Sequence, residues 1–169
     1  MYYYIFPETD TTLYEASGSS NAGLDEILEI RKDMSKSGGN IKISRILIKF
    51  DLSEISASVV NGTITSPKYY LNMYDANSQN LSTSQSLYAY PISGSWLEGQ
   101  GTFNDDPKTT EGAGWNYKDG LSDKTYWLSG SDSAVSSSGG AWYTSSYGSQ
   151  SFAYETDDMR MDVTPIVNK

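Results

Sequence analysis

The chain consists largely of short stretches in which apolar and polar residues alternate. In the strongest stretch, residues 41–51, apolar side chains share one face while the charged Arg45 and Lys49 share the other. A two-residue period puts successive side chains on opposite sides of a strand, so this stretch predicts a half-buried β-strand. The same period predicts strands at residues 2–6, 12–14, 69–74, 86–92 and 159–163, with Pro7 interrupting the first pair.

Turn-forming residues separate these stretches. Asn61-Gly62 favours the type I′ turn of a β-hairpin, and Gly139-Gly140 indicates a further turn. Residues 24–30 are ambiguous, because their apolar residues fit both a helical spacing and a two-residue alternation. We predict a strand at residues 27–31, with a single helical turn as the alternative. Short strands joined by turns predict an antiparallel sandwich or barrel.

Residues 94–150 differ in composition from the rest of the chain. This stretch is rich in Gly, Ser and Asp, yet it contains all four tryptophans of the protein. A disordered linker would not carry four indole rings, since disordered segments are poor in aromatic residues. We therefore predict long, ordered loops whose tryptophans dock on the sandwich.

Length and charge narrow the range of functions. The chain has 169 residues, which suits a single domain over residues 1–169. It has no His and no Cys, which excludes Ser-His-Asp and Cys-His catalysis, zinc sites built from these residues and disulfide bonds. The net charge of −9 repels phosphate, so neither nucleic acid nor an anionic membrane is an expected partner.

An enzymatic function is not expected. Acid–base hydrolysis needs two carboxylates at a defined separation. The candidates are Glu98, Asp105, Asp106, Glu111, Asp157 and Asp158. Among 21 acidic residues some pairs lie close without any function, and a solvated surface is the simpler interpretation. The sequence has no Gly-x-Ser-x-Gly motif, and without His only Lys could activate a serine nucleophile.

Two pairs of adjacent acidic residues are weak candidates for calcium, which prefers oxygen ligands. The pairs are Asp105 with Asp106, and Asp157 with Asp158. Neither pair has the ligand spacing of an EF-hand loop, and adjacent acids commonly solvate a turn. We therefore expect no cofactor, with calcium at one of these pairs as the alternative.

Several short motifs occur in a definite order along the chain. An Asn-x-Gly loop begins at Asn21, and residues 45–52 read Arg-x-Leu-x-Lys-Phe-Asp-Leu. The later motifs are Leu71-x-Met73-Tyr74, Trp96-x-Glu98 followed by Pro107, and Asp162-Val163-Thr164. Together they resemble the DNRLRE-type jelly-roll domains, although Phe103 stands where that family has Trp. The resemblance implies an all-β fold, an antiparallel jelly-roll β-sandwich with residues 94–150 as a loop-rich insertion.

The resemblance also bears on the carboxyl end and on the biological setting. In that family further strands follow the Asp-Val-Thr segment, whereas this sequence ends at Lys169. We therefore expect that carboxyl-terminal strands are missing or are supplied by a neighbouring subunit. Residues 4–14 are similar in style to structural proteins in the virions of tailed phages. This likeness implies a virion location, with other virion proteins and copies of the chain as partners.

The aromatic residues define the candidate contact sites. The candidates, for a subunit interface or a glycan platform, are Trp96, Trp115, Trp127, Trp142, Tyr117, Tyr126 and Tyr143. Sugar C–H faces stack on aromatic rings, while Tyr and Trp are also enriched at protein interfaces; rings that merely pin the loops would serve neither role. We predict a non-enzymatic structural protein of the tail, neck, baseplate or capsid surface. The alternative is a carbohydrate-binding module of a host-recognition or cell-wall-associated protein.

Overall fold

The computed structural model describes residues 2–34, 39–77, 84–120, 124–127, 134–137, 139–152 and 158–167. The strands are β1 (Thr9–Tyr14), β2 (Lys32–Met34), β3 (Ile41–Lys49), β4 (Tyr70–Met73), β5 (Gln85–Ala89), β6 (Tyr117–Asp119), β7 (Thr125–Tyr126), β8 (Ala134–Ser137), β9 (Gly140–Tyr143), β10 (Gly148–Phe152) and β11 (Met159–Asp162). The helices are a 3₁₀ turn at Glu15–Ser17, α1 (Ser53–Val60) and α2 (Thr164–Val167). The fold is all-β, as the alternating pattern predicts, and the jelly-roll arrangement stays a prediction.

The chain divides into two compact units. The first unit comprises Met1–Ser53 and Ser93–Ala141, and the second comprises Glu54–Ile92 and Trp142–Lys169. In the first unit β3 is the central strand of an antiparallel sheet ordered β1-β3-β2. Leu13 of β1 is fully buried in the core of this unit. On the surface, Lys49 at the end of β3 forms a salt bridge with Glu8, with 2.7 Å between Nζ and Oε2.

The side-chain amide of Asn21 holds three loops of the first unit together. Its Nδ2 donates hydrogen bonds to the carbonyl oxygens of Glu98 (2.5 Å) and Ala113 (2.9 Å). Its Oδ1 accepts hydrogen bonds from the backbone N–H groups of Gly23 (3.1 Å) and Gly101 (2.8 Å). Asn21 is fully buried, so the carboxamide replaces water as the partner of these four backbone groups.

Two glycines allow the loops to approach Asn21. Gly99 and Gly112 have positive φ angles of 84° and 101°. A Cβ atom on Gly99 would collide with the carbonyl oxygen of Glu111 and with the Asn21 side chain. Only a residue without a side chain fits such a position, so the Asn-x-Gly motif and these glycines form one structural unit.

The second unit contains two antiparallel strand pairs, β4 with β11 and β5 with β10. Burial alternates along all four strands, with Met161 and Phe152 among the buried side chains. The Oε1 atom of Gln150 accepts the backbone N–H of Arg160 at 2.7 Å, which connects β10 to β11. Each strand therefore has one packed face and one open face.

The strand predictions at residues 12–14, 41–51, 69–74, 86–92 and 159–163 are confirmed by β1, β3, β4, β5 and β11. The prediction of a strand at residues 2–6 is wrong. The last backbone hydrogen bond along β1 runs from the N–H of Glu8 to the carbonyl oxygen of Lys49, where β3 ends. Residues 2–6 therefore lie beyond the strand that would pair with them.

The strand predicted at residues 27–31 is also wrong, because side chains occupy the hydrogen-bonding groups that a ladder would use. The Glu29 N–H donates to Thr12 Oγ1 at 3.1 Å, and the Arg31 N–H donates to Ser44 Oγ at 2.8 Å. The Ser44 hydroxyl in turn donates to the carbonyl oxygen of Glu29 at 2.6 Å. Regular pairing begins only at β2.

Asn61-Gly62 ends a helix and does not form the predicted hairpin turn. The N–H of Asn61 donates to Ala57 of α1, and Gly62, with a φ of 78°, donates to the carbonyl oxygen of Val59. Glycine in this left-handed conformation commonly terminates a helix, so the Asn-Gly dipeptide here ends α1 instead of forming a hairpin turn. By contrast, Gly139 and Gly140 both have positive φ angles at the predicted turn before β9.

We predict that Asn21→Ala lowers the free energy of unfolding by about 3–5 kcal/mol, because it leaves two buried and two partly buried backbone groups without their side-chain partner. Denaturant unfolding followed by fluorescence measures the loss. Asn61→Ala is the matched control: its Oδ1 accepts the N–H of Thr63 in an exposed turn, where water can replace it. A loss of about 1 kcal/mol or less for both variants would contradict the role assigned to Asn21.

Candidate functional site

Trp115 lies in the core of the first unit. Its side chain is 7% exposed, and the guanidinium of Arg45 lies 4.8 Å from its ring centroid. Arg45 Nη1 donates to the carbonyl oxygen of Gly139 at 2.7 Å, and the Gly139 N–H donates to the carbonyl oxygen of Trp115 at 2.5 Å. Burial lowers the pKa of Arg45, and the Glu15 carboxylate opposes that shift. Arg45 therefore stacks on an indole ring, unlike Lys49 in its surface ion pair.

Other aromatic candidates of the first unit also stabilise its loops. Trp127 is buried, and its indole N–H donates to the carbonyl oxygen of Gly114 at 3.0 Å. Tyr117 is buried with its ring centroid 4.9 Å from that of the exposed Tyr126. Trp96 is half-buried. The structure thus leaves Tyr126 as the most accessible of these rings, whereas Trp127 and Tyr117 have little ring surface open to a sugar.

Trp142 and Tyr143 belong to the second unit, where they pair with residues 91–92. Trp142 is half-buried and forms an antiparallel bridge with Ile92. The N–H of Tyr143 donates to the carbonyl oxygen of Pro91 at 2.9 Å, and its side chain is partly exposed. The seven candidate aromatics are therefore divided between the two units, five in the first and two in the second.

Three other tyrosines of the second unit form an exposed group that we call the tyrosine cluster: Tyr88, Tyr90 and Tyr147. The ring centroids of Tyr88 and Tyr90 are 6.3 Å apart, and their planes differ by 20°. The Tyr147 ring lies 5.7 Å from Tyr88 and 5.6 Å from Tyr90. Their exposed fractions are 56%, 38% and 49%. The cluster therefore presents ring surface to solvent.

The pleat of β5 explains why these rings are exposed. Leu87 and Ala89 point to the packed face, so Tyr88 falls on the open face, and Tyr90 continues that side beyond the strand end. The register pairs Gly148 of β10 with Ala89, which brings Tyr147 beside Tyr90. The alternation at residues 86–92 already places Tyr88 and Tyr90 on one side, but only the pairing of β5 with β10 reveals the third ring.

A second aromatic group, in the first unit, is held by cations. The Phe103 and Tyr14 ring centroids are 4.3 Å apart, and the Arg31 guanidinium lies 4.9 Å from each centroid. The Lys108 ammonium lies 5.0 Å from the Phe103 ring and donates to the Phe103 carbonyl oxygen. Burial, then a 3.0 Å hydrogen bond to Glu29, raises the pKa of the Tyr14 hydroxyl. These contacts already cover much of the ring surface.

Two of the acidic candidates, Asp105 and Asp158, accept hydrogen bonds from backbone or hydroxyl groups. The carboxylate of Asp105 accepts hydrogen bonds from the Thr102 N–H (2.9 Å) and the Thr102 hydroxyl (2.7 Å). Asp158 Oδ1 accepts the N–H of Asp75 at 3.1 Å. Asp106 is exposed and precedes a cis proline, and Asp157 lies outside the described residues. Within the described ranges, no group of three or more His, Cys, Asp or Glu residues is arranged to hold a metal ion.

Glu98, a candidate for acid–base chemistry, anchors the start of β1. Its Oε1 accepts the N–H of Asp10 at 2.9 Å. Burial, and secondly the negative charge of Glu98, raises the pKa of the Asp10 carboxyl. In the described part of the first unit, this hydrogen bond connects the Glu98 loop to β1, which is a structural role for Glu98.

Comparison with known proteins gives one match. The sequence model of carbohydrate-binding module family 96 matches residues 1–120. No curated protein matches the chain, and no solved structure does. Among the described residues, no helix has the length and apolar character needed to cross a membrane.

We predict that the folded-state pKa of Asp105 is about 2, below its ordinary value of 3.8, because Thr109 and Thr102 donate hydrogen bonds to the ionised carboxylate. The ionised form then stabilises the fold above pH 3.8, and this contribution is lost as the pH falls towards about 2. Carboxyl-carbon NMR titration measures the pKa directly.

Asp105→Asn should remove this part of the acid dependence of stability. Asp106→Asn is the control, because it removes the same charge one position along the loop and leaves the Thr102 hydrogen bonds in place. A titration midpoint for Asp105 at or above 3.8 would show that the turn does not hold the ionised carboxylate.

Proposed function

The chain belongs to carbohydrate-binding module family 96, and on this basis we propose that it binds a glycan through the tyrosine cluster of the second unit. The match covers residues 1–120, which include β5 and two of the three tyrosines. Tyr147 lies beyond the matched residues and reaches the cluster through the pairing of β10 with β5. The family supports carbohydrate binding in general, and the location of the contact surface is our inference.

We place the glycan-binding site here because three neighbouring tyrosine rings are exposed, with their centroids 5.6–6.3 Å apart. A sugar ring presents C–H groups that pack against an aromatic face, and the phenol hydroxyls can donate and accept hydrogen bonds. Ring surface that is already exposed requires no opening of the protein core before a ligand binds. Trp115, Trp127 and Tyr117 lack this property because they are buried.

We propose that the protein binds a glycan and does not catalyse a reaction on it. The family is a family of binding modules, and the carboxylates of Glu98, Asp105 and Asp158 accept backbone N–H groups. The virion location and the packing against other virion proteins stay predictions from the motif resemblance. A glycan-binding surface is compatible with either setting, because the same protein can be held in an assembly and contact surface sugars.

We predict that Tyr88→Ala, Tyr90→Ala and Tyr147→Ala each weaken glycan binding by roughly tenfold or more, the usual effect of truncating a central aromatic contact. Tyr88→Phe should retain most of the affinity, because it keeps the ring. Affinity electrophoresis against a panel of soluble polysaccharides finds the ligand, and isothermal titration calorimetry then measures the dissociation constants.

Tyr74→Ala is the matched control. Tyr74 is a tyrosine of the same unit, is 87% exposed and lies outside the tyrosine cluster. Circular dichroism confirms that each variant folds. If the three cluster variants bind as the unmodified protein does, another surface binds the glycan; if the protein binds none of the polysaccharides, the proposed function is wrong.

A further inference from the structure

The two strands that carry the tyrosine cluster come from the two longest charge-free stretches of the sequence. Residues 76–97 contain no Asp, Glu, Lys or Arg, and neither do residues 133–154. Charged residues make up 20% of the whole chain, so such stretches are unusual for it. β5 lies in the first stretch and β10 in the second, and the two strands pair with each other. The pairing of β5 with β10 therefore joins one part of each uncharged stretch.

Three cross-strand rows lie on the open side of β5 and β10, the first of them just beyond the strand ends. Tyr90 and Tyr147 form the first row, and Tyr88 lies opposite Ser149 in the second. In the third row Ser86 lies opposite Ser151, and their hydroxyl oxygens are 2.8 Å apart. All six side chains are exposed. The rings thus lie towards one end of the face, and a pair of hydroxyl groups lies at the other.

We propose that this face binds a neutral glycan chain that runs along β5 and β10, with Ser86 and Ser151 as a hydroxyl subsite beside the aromatic one. The inference rests on the proposed function and adds the class of glycan and its direction. Serine hydroxyls donate and accept hydrogen bonds, as sugar hydroxyls do. The Ser86–Ser151 pair can exchange its mutual hydrogen bond for bonds to a sugar in the same positions.

The charge of the protein favours a neutral ligand. The chain has 21 acidic and 12 basic residues, so its field repels a polyanion at long range. The three rows supply no cation that would offset this repulsion, and they supply no carboxylate that would attract a polycation. The nearest strand in the second unit, β11, carries Arg160, whose guanidinium lies 4.7 Å from the centroid of the Tyr70 ring. Stacking and hydroxyl hydrogen bonds are therefore the interactions that this face offers.

The spacing of the rows favours a chain over a single sugar. Successive rows are two residues apart along the strand, and the three rows span roughly 13 Å at the usual rise of an antiparallel strand. A monosaccharide covers only part of that distance. Affinity should therefore rise with the length of an oligosaccharide until the ligand reaches from Tyr90 to Ser86, and should then level off.

The first test compares ligand classes with the unmodified protein. The neutral probes are a β-glucan, an α-glucan, a mannan and a galactan, and the charged probes are a polyuronate, a sulfated galactan and a deacetylated chitin. We expect binding to at least one neutral probe, with an affinity that changes less than twofold between low and physiological ionic strength, because no ion pair is screened. Preference for a charged probe would overturn the inference, yet tyrosine-dependent binding of that probe would leave the proposed function intact.

The second test addresses the hydroxyl subsite. The double variant Ser86→Ala/Ser151→Ala should weaken binding of the neutral polysaccharide by roughly tenfold, the effect expected from losing one or two hydrogen bonds. With the shortest oligosaccharide that the tyrosine cluster binds, the same variant should change the affinity less. Ser56→Ala, an exposed serine of α1 in the same unit, is the matched control and should have no effect.

These outcomes separate the two proposals. Loss of binding in the tyrosine variants, together with unchanged binding in the serine double variant, would support the aromatic site and contradict the hydroxyl subsite. Equal affinity for short and long oligosaccharides would contradict the direction along the strands. If no probe binds at all, the proposed function and this inference fail together.

Discussion

The pleat of the β-strand is the constraint on which the second unit depends. In β4, β5, β10 and β11 every second side chain packs inward. The side chains between them lie on the opposite face of the strand and are exposed to solvent. In β5 this rule turns Leu87, which is half-buried, to the packed face and exposes Tyr88. Exposing a tyrosine ring forgoes the stabilisation of burial, and three such rings beside one another form a surface suited to a ligand. Core and candidate site thus follow from one geometric rule.

The first unit is organised differently, by polar groups and glycine. Asn21 joins three loops with four hydrogen bonds, and positive φ angles at Gly99 and Gly112 permit the approach. Trp115 and Trp127 then close the loops, through contacts with Arg45 and with the Gly114 carbonyl. Aromatic residues therefore have two separate uses in this chain. In the first unit they mostly hold loops in place, whereas in the tyrosine cluster beside β5 and β10 they remain exposed.

The sequence predicts those parts of the fold that local periodicity controls. The stretches that became β3, β4, β5 and β11 were identifiable because alternation alone determines which side chains pack. The conformation of residues 27–31 cannot be predicted in this way. The hydroxyls of Thr12 and Ser44 accept backbone N–H groups that a strand would use for pairing, and these contacts involve residues distant in the sequence. The same limit applies to the site. Tyr88 and Tyr90 share a side in the sequence pattern, but Tyr147 joins them only through the register of β10. Of the four tryptophans, Trp115 and Trp127 are buried whereas Trp96 and Trp142 are half-buried, a difference that the sequence pattern does not show.

We propose that a glycan contacts the exposed tyrosines of the second unit and leaves the buried rings of the first unit untouched. Site-resolved aromatic NMR during titration with the polysaccharide that binds tests it most directly. We expect saturating shifts of the ring signals of Tyr88, Tyr90 and Tyr147, with little change at Trp115, Trp127 and Tyr117. Shifts confined to Phe103 and Tyr14 in the first unit, with a silent tyrosine cluster, would contradict it.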